Sequence, residues 1–321
     1  MNDLYKKIDG LSLGPSRIFY GTASAPFLAG NDCCDILDTV FDMGINAIDT
    51  ARVYGDAEKS LGQWFKCSGK RHEVVLLSKC AHPLPDGTVR VNERDMKADL
   101  DKSLSLLGTD YIDIYLMHRD DPTVDAGEIV EILNDMRKAG KILLFGVSNW
   151  THTRIAQAND YADAHGLMPF SVSSPNFGLA DQVNDPWGGG CVTVTGSDNK
   201  DARKWYEKTQ MPLIAYSSLA HGLFTGKIKS NDKARAAELL DEAAMKGYYC
   251  DENFRRLEVC EELAAEKGVS VAQIAMAWIF KSRMNTYAVV SSLNGERMKT
   301  NIDALNISLT DEECRMLNPE Y

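Results

Sequence analysis

The sequence contains no run approaching the roughly 18 consecutive apolar residues that a membrane-spanning helix requires, and its opening stretch, MNDLYKKIDG, lacks the apolar core of a secretory leader. Both absences point to a cytosolic protein with no membrane partner. Positive charge is also short: 35 Lys and Arg stand against 46 Asp and Glu, for a net charge of −11 and a pI near 5.1. A surface of that sign repels polyanions over most approaches, which argues against nucleic acid as a partner. The cysteines, at positions 33, 34, 67, 80, 191, 250, 260 and 314, form no C-x-x-C pair and no Cys/His cluster. Neither a disulfide framework nor a zinc site is indicated, and no metal is expected. Finally, no G-x-G-x-x-G follows a predicted strand, and Gly188–Gly190 fall in a loop without strand or helix around them, so a Rossmann nucleotide site is not supported.

What is present is rhythm. Short apolar runs alternate with amphipathic stretches, the pattern of repeated βα units and a parallel sheet. Eight such runs are predicted as strands: Arg17–Thr22, Ala47–Asp49, Val74–Lys79, Ile112–His118, Leu144–Ser148, Phe170–Ser174, Leu213–Tyr216 and Tyr287–Ser291. Eight strands favour a closed (β/α)8 barrel, and no linker interrupts residues 1–321, which are read as a single domain. Asn92 with Asp95 is predicted to open a helix that Gly108 closes, and Ser270 with Gln273 reads as a capping box before AQIAMAWIF. Two stretches break the rhythm, Asp181–Asn199 and the charged Lys227–Asp251. They are expected as long loops at the active-site face or on the outer surface.

In such barrels catalytic groups sit at the C-terminal ends of strands. Three predicted strands end in ionisable residues, Asp49, Lys79 and His118, and Tyr54 follows Asp49 in the next loop. Each alone has an ordinary structural explanation; four at neighbouring strand ends form a coherent chemical set. A phenol, with a reference pKa of about 10, needs help to exchange a proton near neutrality. Lys79 would favour the phenolate, Asp49 would keep Lys79 charged and oriented, and His118 would hydrogen-bond the reacting oxygen.

The segments IDTARVYG (48–55), LLSK (76–79), LMHRDD (116–121), GVSN (146–149) and LIAYSSLAHGLFTGK (213–227) closely resemble the aldo-keto reductase family, with the resemblance running from Phe19 to Asn306. It implies NADP(H)-dependent reduction of aldehydes or ketones to alcohols by hydride transfer, with Tyr54 as proton donor within a tetrad of Asp49, Tyr54, Lys79 and His118. It further implies that Ser148, Asn149 and Ser174 serve the nicotinamide carboxamide, that Tyr216 stacks on its ring, and that Gly21, Thr22 and Asp49 lie near the cofactor. Ser217, Leu219, Gly222, Leu223, Thr225 and Gly226 would wrap the pyrophosphate. Within SSLNGERMKTNIDAL (291–305), Ser292 and Arg297 would meet the 2′-phosphate and Asn301 the adenine. Arg297 is the reason to expect NADP(H) above NAD(H), since a guanidinium pairs a phosphate bidentately.

Three positions depart from the family pattern: Ser174 replaces the usual Gln, Ser291 stands where many members have Gly or Lys, and Thr300 where many have Glu. Candidate substrate walls are Phe27, Trp150 and Trp187, with Arg52 and Arg119 flanking the tetrad. The expected partner is a small carbonyl or alcohol, and the expected assembly a monomer or weak homo-oligomer. Two alternatives stay open: a cofactor-binding regulatory subunit on the same fold, and a metal-dependent barrel hydrolase, for which only His118 is well placed.

Overall fold

The computed structural model describes residues 4–320; the first three residues of the MNDLYKKIDG stretch lie outside them. Eight strands follow one another in sequence order around a closed barrel. They are β1 (Ile18–Gly21), β2 (Ala47–Asp49), β3 (Val75–Cys80), β4 (Ile112–Met117), β5 (Ile142–Ser148), β6 (Val172–Ser174), β7 (Leu213–Ala215) and β8 (Thr286–Val290). Every predicted strand is present, with no end moved by more than two residues. Residues of β3 and β4 are buried throughout, as expected of parallel strands covered on both faces, and this is why they read as continuous apolar runs in the sequence.

The chain's contacts gather into two compact units, Tyr5–Ser174 with β1–β6, and the region from Pro175 onward with β7 and β8. In the first unit the parallel register sets Asp49 opposite Leu77, Lys79 opposite Leu116 and Ser148 opposite Ser174. The C-terminal ends of β2 to β6 therefore share one edge, and the polar residues that end them share it too. Gly146 is required by the close approach of β5 and β6: a Cβ there would stand 1.9 Å from the Val172 carbonyl oxygen.

The helix signals hold. Glu93–Leu107 begins at Asn92, whose side chain accepts from the Asp95 N–H, and ends at Gly108 in a left-handed conformation. Val271–Lys281 carries the full Ser270/Gln273 capping box. The Lys227–Asp251 stretch differs from expectation. It folds into two short helices, Lys233–Leu239 and Glu242–Tyr248, whose first turns are capped by the Asp232 and Asp241 carboxylates. Its charged residues conceal those caps in a search for apolar periodicity. Asp181–Asn199 is largely irregular, ending in a single 3-10 turn, Ser197–Asn199. It is fastened at its start, where Arg256 holds the Asp181 carboxylate through two bonds of 2.8 Å and Asn253 exchanges a pair of 2.8 Å bonds with the Asp181 backbone. Among the described residues no single helix is long and apolar enough to cross a membrane.

Candidate active site

The turn after β2 is built largely by backbone hydrogen bonds. Thr50 N–H donates to Leu77 O (2.9 Å) and Arg52 N–H to Lys79 O (3.0 Å), which carries the pairing with β3 past the end of β2. Thr22 fixes the Asp49 carbonyl from the other side with both its N–H and its hydroxyl, each at 3.0 Å. Tyr54 then closes a tight turn onto Ala51 O at 3.0 Å. The next residue must be glycine: Gly55 has a φ of +51°, and a Cβ there would lie 2.5 Å from the Leu28 carbonyl oxygen.

Within this frame the Lys79 ammonium lies 2.6 Å from the Asp49 carboxylate and 2.9 Å from the Thr50 carbonyl. It also stands 5.1 Å from the centre of the Tyr54 ring. Asp49 and Lys79 are both buried, and Tyr54 is partly exposed. Burial alone would lower the Lys79 pKa, but the Asp49 carboxylate and the Tyr54 phenol together hold it above the ordinary lysine value. For Tyr54, burial raises the phenol pKa and outweighs the opposing pull of Lys79, so the hydroxyl keeps its proton at neutral pH.

The His118 ring meets the Tyr54 ring edge-on, centres 5.7 Å apart. His118 lies one residue past β4, with its N–H still donating to Cys80 O at 2.9 Å. Its Nδ1 is buried without a hydrogen-bond partner among the described residues. Burial, reinforced by Lys79, Arg119 and His82, pushes its pKa well below the ordinary imidazole value, which keeps the ring neutral. The His118 carbonyl accepts from Asn149 Nδ2 (3.2 Å) and from the buried Arg119 guanidinium (3.0 Å). Asn149 also donates to Ser148 Oγ (3.1 Å), which donates to the Ser174 carbonyl (2.7 Å). Thus Ser148, Asn149 and Ser174 join one buried hydrogen-bonded array with His118. Asn149 adopts a left-handed φ of 62°, uncommon for a residue with a side chain.

Two supports were not anticipated from the sequence. Glu58, fully buried, accepts from Ser78 Oγ at 2.7 Å and pairs with Arg52, tying the Tyr54 turn to the residue before Lys79. Asp99 accepts from the Ala81 N–H at 2.9 Å and from both terminal nitrogens of Arg90 at 2.9 and 2.8 Å. It thereby holds the chain just after β3. Arg52 within IDTARVYG was the available signal for the first network; a buried acid six residues later gives no periodic signal.

The remaining candidates lie as follows. Gly21 ends β1 and is buried, as is Thr22. In the second unit, Tyr216 follows β7, and a run of left-handed residues comes next: Ser217 (φ 54°), Ala220 (50°), His221 (51°) and Gly222 (106°). Leu219 and Gly226 are partly exposed, Thr225 is exposed and Leu223 fully buried. Arg297 is exposed in the first turn of the helix Gly295–Asp303, which Asn294 caps; among the described residues its guanidinium makes no ion pair. Ser292 is partly exposed and Asn301 buried. Of the three aromatic candidates, Phe27 is fully covered, its ring 5.9 Å from that of Tyr20. Trp150 is also fully covered, edge-on to Phe170 at 5.4 Å and under Arg154. Trp187 keeps 46% of its surface exposed and rests on His221 at 4.9 Å.

An Asp–Lys–Tyr–His cluster at adjacent strand ends of a parallel barrel, with the phenol protonated and the lysine charged, is suited to giving a proton to a carbonyl oxygen. The chain belongs to the aldo/keto reductase family, a family of oxidoreductases, whose profile matches residues 17–319. Similar curated proteins include an aryl-alcohol dehydrogenase from Pestalotiopsis microspora, 25% identical over 89% of this chain and 72% of its own length. A norsolorinic acid reductase from Aspergillus flavus is 28% identical over 88% of this chain and 70% of its own. A putative aryl-alcohol dehydrogenase from Schizosaccharomyces pombe is 27% identical over 89% of this chain and 84% of its own.

Proposed function

We propose that this protein is an NADP(H)-dependent oxidoreductase interconverting aromatic aldehydes or ketones and their alcohols, with Tyr54 as proton donor. The observation that carries the reading is the buried Asp49–Lys79 ion pair of 2.6 Å set against the Tyr54 ring. A bound nicotinamide dinucleotide supplies the two-electron reduction of the carbonyl carbon. As charge builds on the carbonyl oxygen, Tyr54 gives up its proton, and the Lys79 ammonium beside it stabilises the phenolate that remains. Asp49 keeps Lys79 charged in a buried site where a lone ammonium would be forced neutral. Neutral His118 serves as a hydrogen-bond donor to the same oxygen. The names of the relatives support an aromatic substrate.

Residues of this chain fit the dinucleotide. The Ser148–Asn149–Ser174 array is suited to orienting an amide. Ser217, Thr225 and Gly226, which keep exposed surface in the turns after β7, would meet the pyrophosphate. Arg297, exposed and without a carboxylate partner among the described residues, is suited to the 2′-phosphate, and this favours NADP(H). The test is consumption of NADPH absorbance with substituted benzaldehydes, in the presence and absence of a chelator. Turnover indifferent to the chelator is expected. Tight NADPH binding with no turnover of any aldehyde would instead indicate a regulatory subunit, and loss of turnover with the chelator would indicate a metal-dependent reaction.

A further inference from the structure

A second histidine stands beside the tetrad. His82 lies three residues after Lys79, and its ring meets the His118 ring edge-on with centres 4.9 Å apart. With His118 edge-on to Tyr54 at 5.7 Å, the three rings form a row. His82 is held in this place by more than packing. The residue before it, Ala81, is in a left-handed conformation at φ 58°, a costly state for a residue with a side chain unless its surroundings enforce it. Here the enforcement is the Asp99 carboxylate on the Ala81 N–H, itself gripped by Arg90.

The ring's tautomer follows from its hydrogen bond. His82 Nδ1 lies 2.9 Å from the Pro83 carbonyl; a carbonyl only accepts, so Nδ1 carries the hydrogen and Nε2 is left as a bare acceptor in the neutral ring. The charged and titratable groups around it all oppose protonation or add nothing to it. Burial lowers its pKa, the Arg119 and Arg90 guanidiniums lower it further, and only the Pro83 carbonyl acts the other way. His118 itself is neutral. Nε2 has no partner among the described residues, and the ring is partly exposed.

We propose that His82 is a specificity-determining residue: its Nε2 accepts a hydrogen bond from a hydroxyl that the substrate carries within a few bonds of the reacting carbonyl. The protein then selects hydroxylated aromatic carbonyl compounds over their unsubstituted or O-methylated counterparts. This rests on the reading of Tyr54 and His118 as the reaction centre, because His82 is placed only relative to them.

The experiment compares kcat/KM for 2- and 3-hydroxybenzaldehyde, the matching methoxybenzaldehydes and benzaldehyde, with the unaltered protein and with His82→Phe and His82→Gln. The unaltered protein is expected to favour at least one hydroxylated aldehyde over its methoxy partner by about 10-fold, the scale of one net neutral hydrogen bond. His82→Phe keeps a planar ring without an acceptor and should bring that ratio to within about 2-fold, with a larger loss of kcat/KM on the hydroxylated aldehyde than on benzaldehyde. His82→Gln, which restores a carbonyl acceptor, should recover part of the preference. An unaltered protein without the preference, or a His82→Phe protein that keeps it, overturns the proposal. So does an equal loss on all five aldehydes, which marks a structural role. If His82→Phe does not fold, His82→Leu, which also lacks an acceptor, takes its place: loss of the preference is expected, and a preference that it keeps overturns the proposal. Failure of the unaltered protein to turn over any aldehyde with NADPH overturns the reaction-centre reading as well, whereas turnover with an unaltered ratio overturns His82 alone.

Discussion

Asp49→Asn separates the charge of the ion pair from its shape. The amide still reaches the Lys79 ammonium across the present 2.6 Å gap, but the ammonium then sits in a buried site with no counter-charge. Removing one partner of a buried pair costs about 3–5 kcal/mol. Lys79 can escape part of this by losing its proton, and the cost of that is calculable. A lysine of ordinary pKa, about 10.4, made neutral at pH 7.5 costs about 4 kcal/mol, and at pH 9.5 only about 1 kcal/mol. In the unaltered protein the Lys79 pKa is raised, so its contribution to stability is fully present below the ordinary lysine value and is lost only as pH rises through the raised one. It is therefore constant from pH 7.5 to 9.5. In the variant burial dominates, the folded pKa falls below the unfolded one, and stability rises with pH. Urea unfolding at both pH values should show a deficit of about 4 kcal/mol at pH 7.5 shrinking to about 1 at pH 9.5. A deficit equal at the two pH values, or absent at pH 7.5, refutes the reasoning.

Three further outcomes are expected. Arg297→Ala should weaken NADPH binding by about 10- to 100-fold, the worth of a charge-assisted hydrogen-bonded contact, with NADH binding unchanged by calorimetry; equal losses for both would show that Arg297 does not read the 2′-phosphate. Trp150→Ala should lower the free energy of unfolding by about 3–5 kcal/mol, as for a core tryptophan, because the side chain is fully covered; a near-normal unfolding curve with an altered substrate preference would mark it as a pocket wall and not a core residue. Glu58→Gln should cost about 1–3 kcal/mol in urea unfolding, since its carboxylate is buried between Ser78 and Arg52; no loss would mean that the turn holds without it.

The strands were legible because parallel strands buried on both faces leave unbroken apolar runs, as in Val75–Cys80 and Ile112–Met117. Asp49, Lys79 and His118 were legible because they stop those runs, and Tyr54 because of the motif around it. The supports around them were not. Glu58 meets Ser78 20 residues away and Asp99 meets Ala81 across 18, and no local periodicity encodes a contact that only the fold brings about. The aromatic residues show the opposite limit: Phe27, Trp150 and Trp187 look alike as loop aromatics, yet two are wholly covered and one is half exposed. Composition cannot separate them, because a large ring serves core and surface equally well. The helices Lys233–Leu239 and Glu242–Tyr248 were hidden because their signal is in aspartate caps and not in an apolar stripe.

The central claim is that Tyr54 delivers the proton, and Tyr54→Phe tests it most directly, since the ring remains and only the transferable hydrogen is lost. With NADPH and an aromatic aldehyde in single-turnover mixing, the rate of the chemical step should fall by about 10²- to 10⁴-fold, while NADPH binding measured on the same sample stays within about 2-fold of the unaltered protein. A chemical step within a few-fold of the unaltered rate would contradict the assignment.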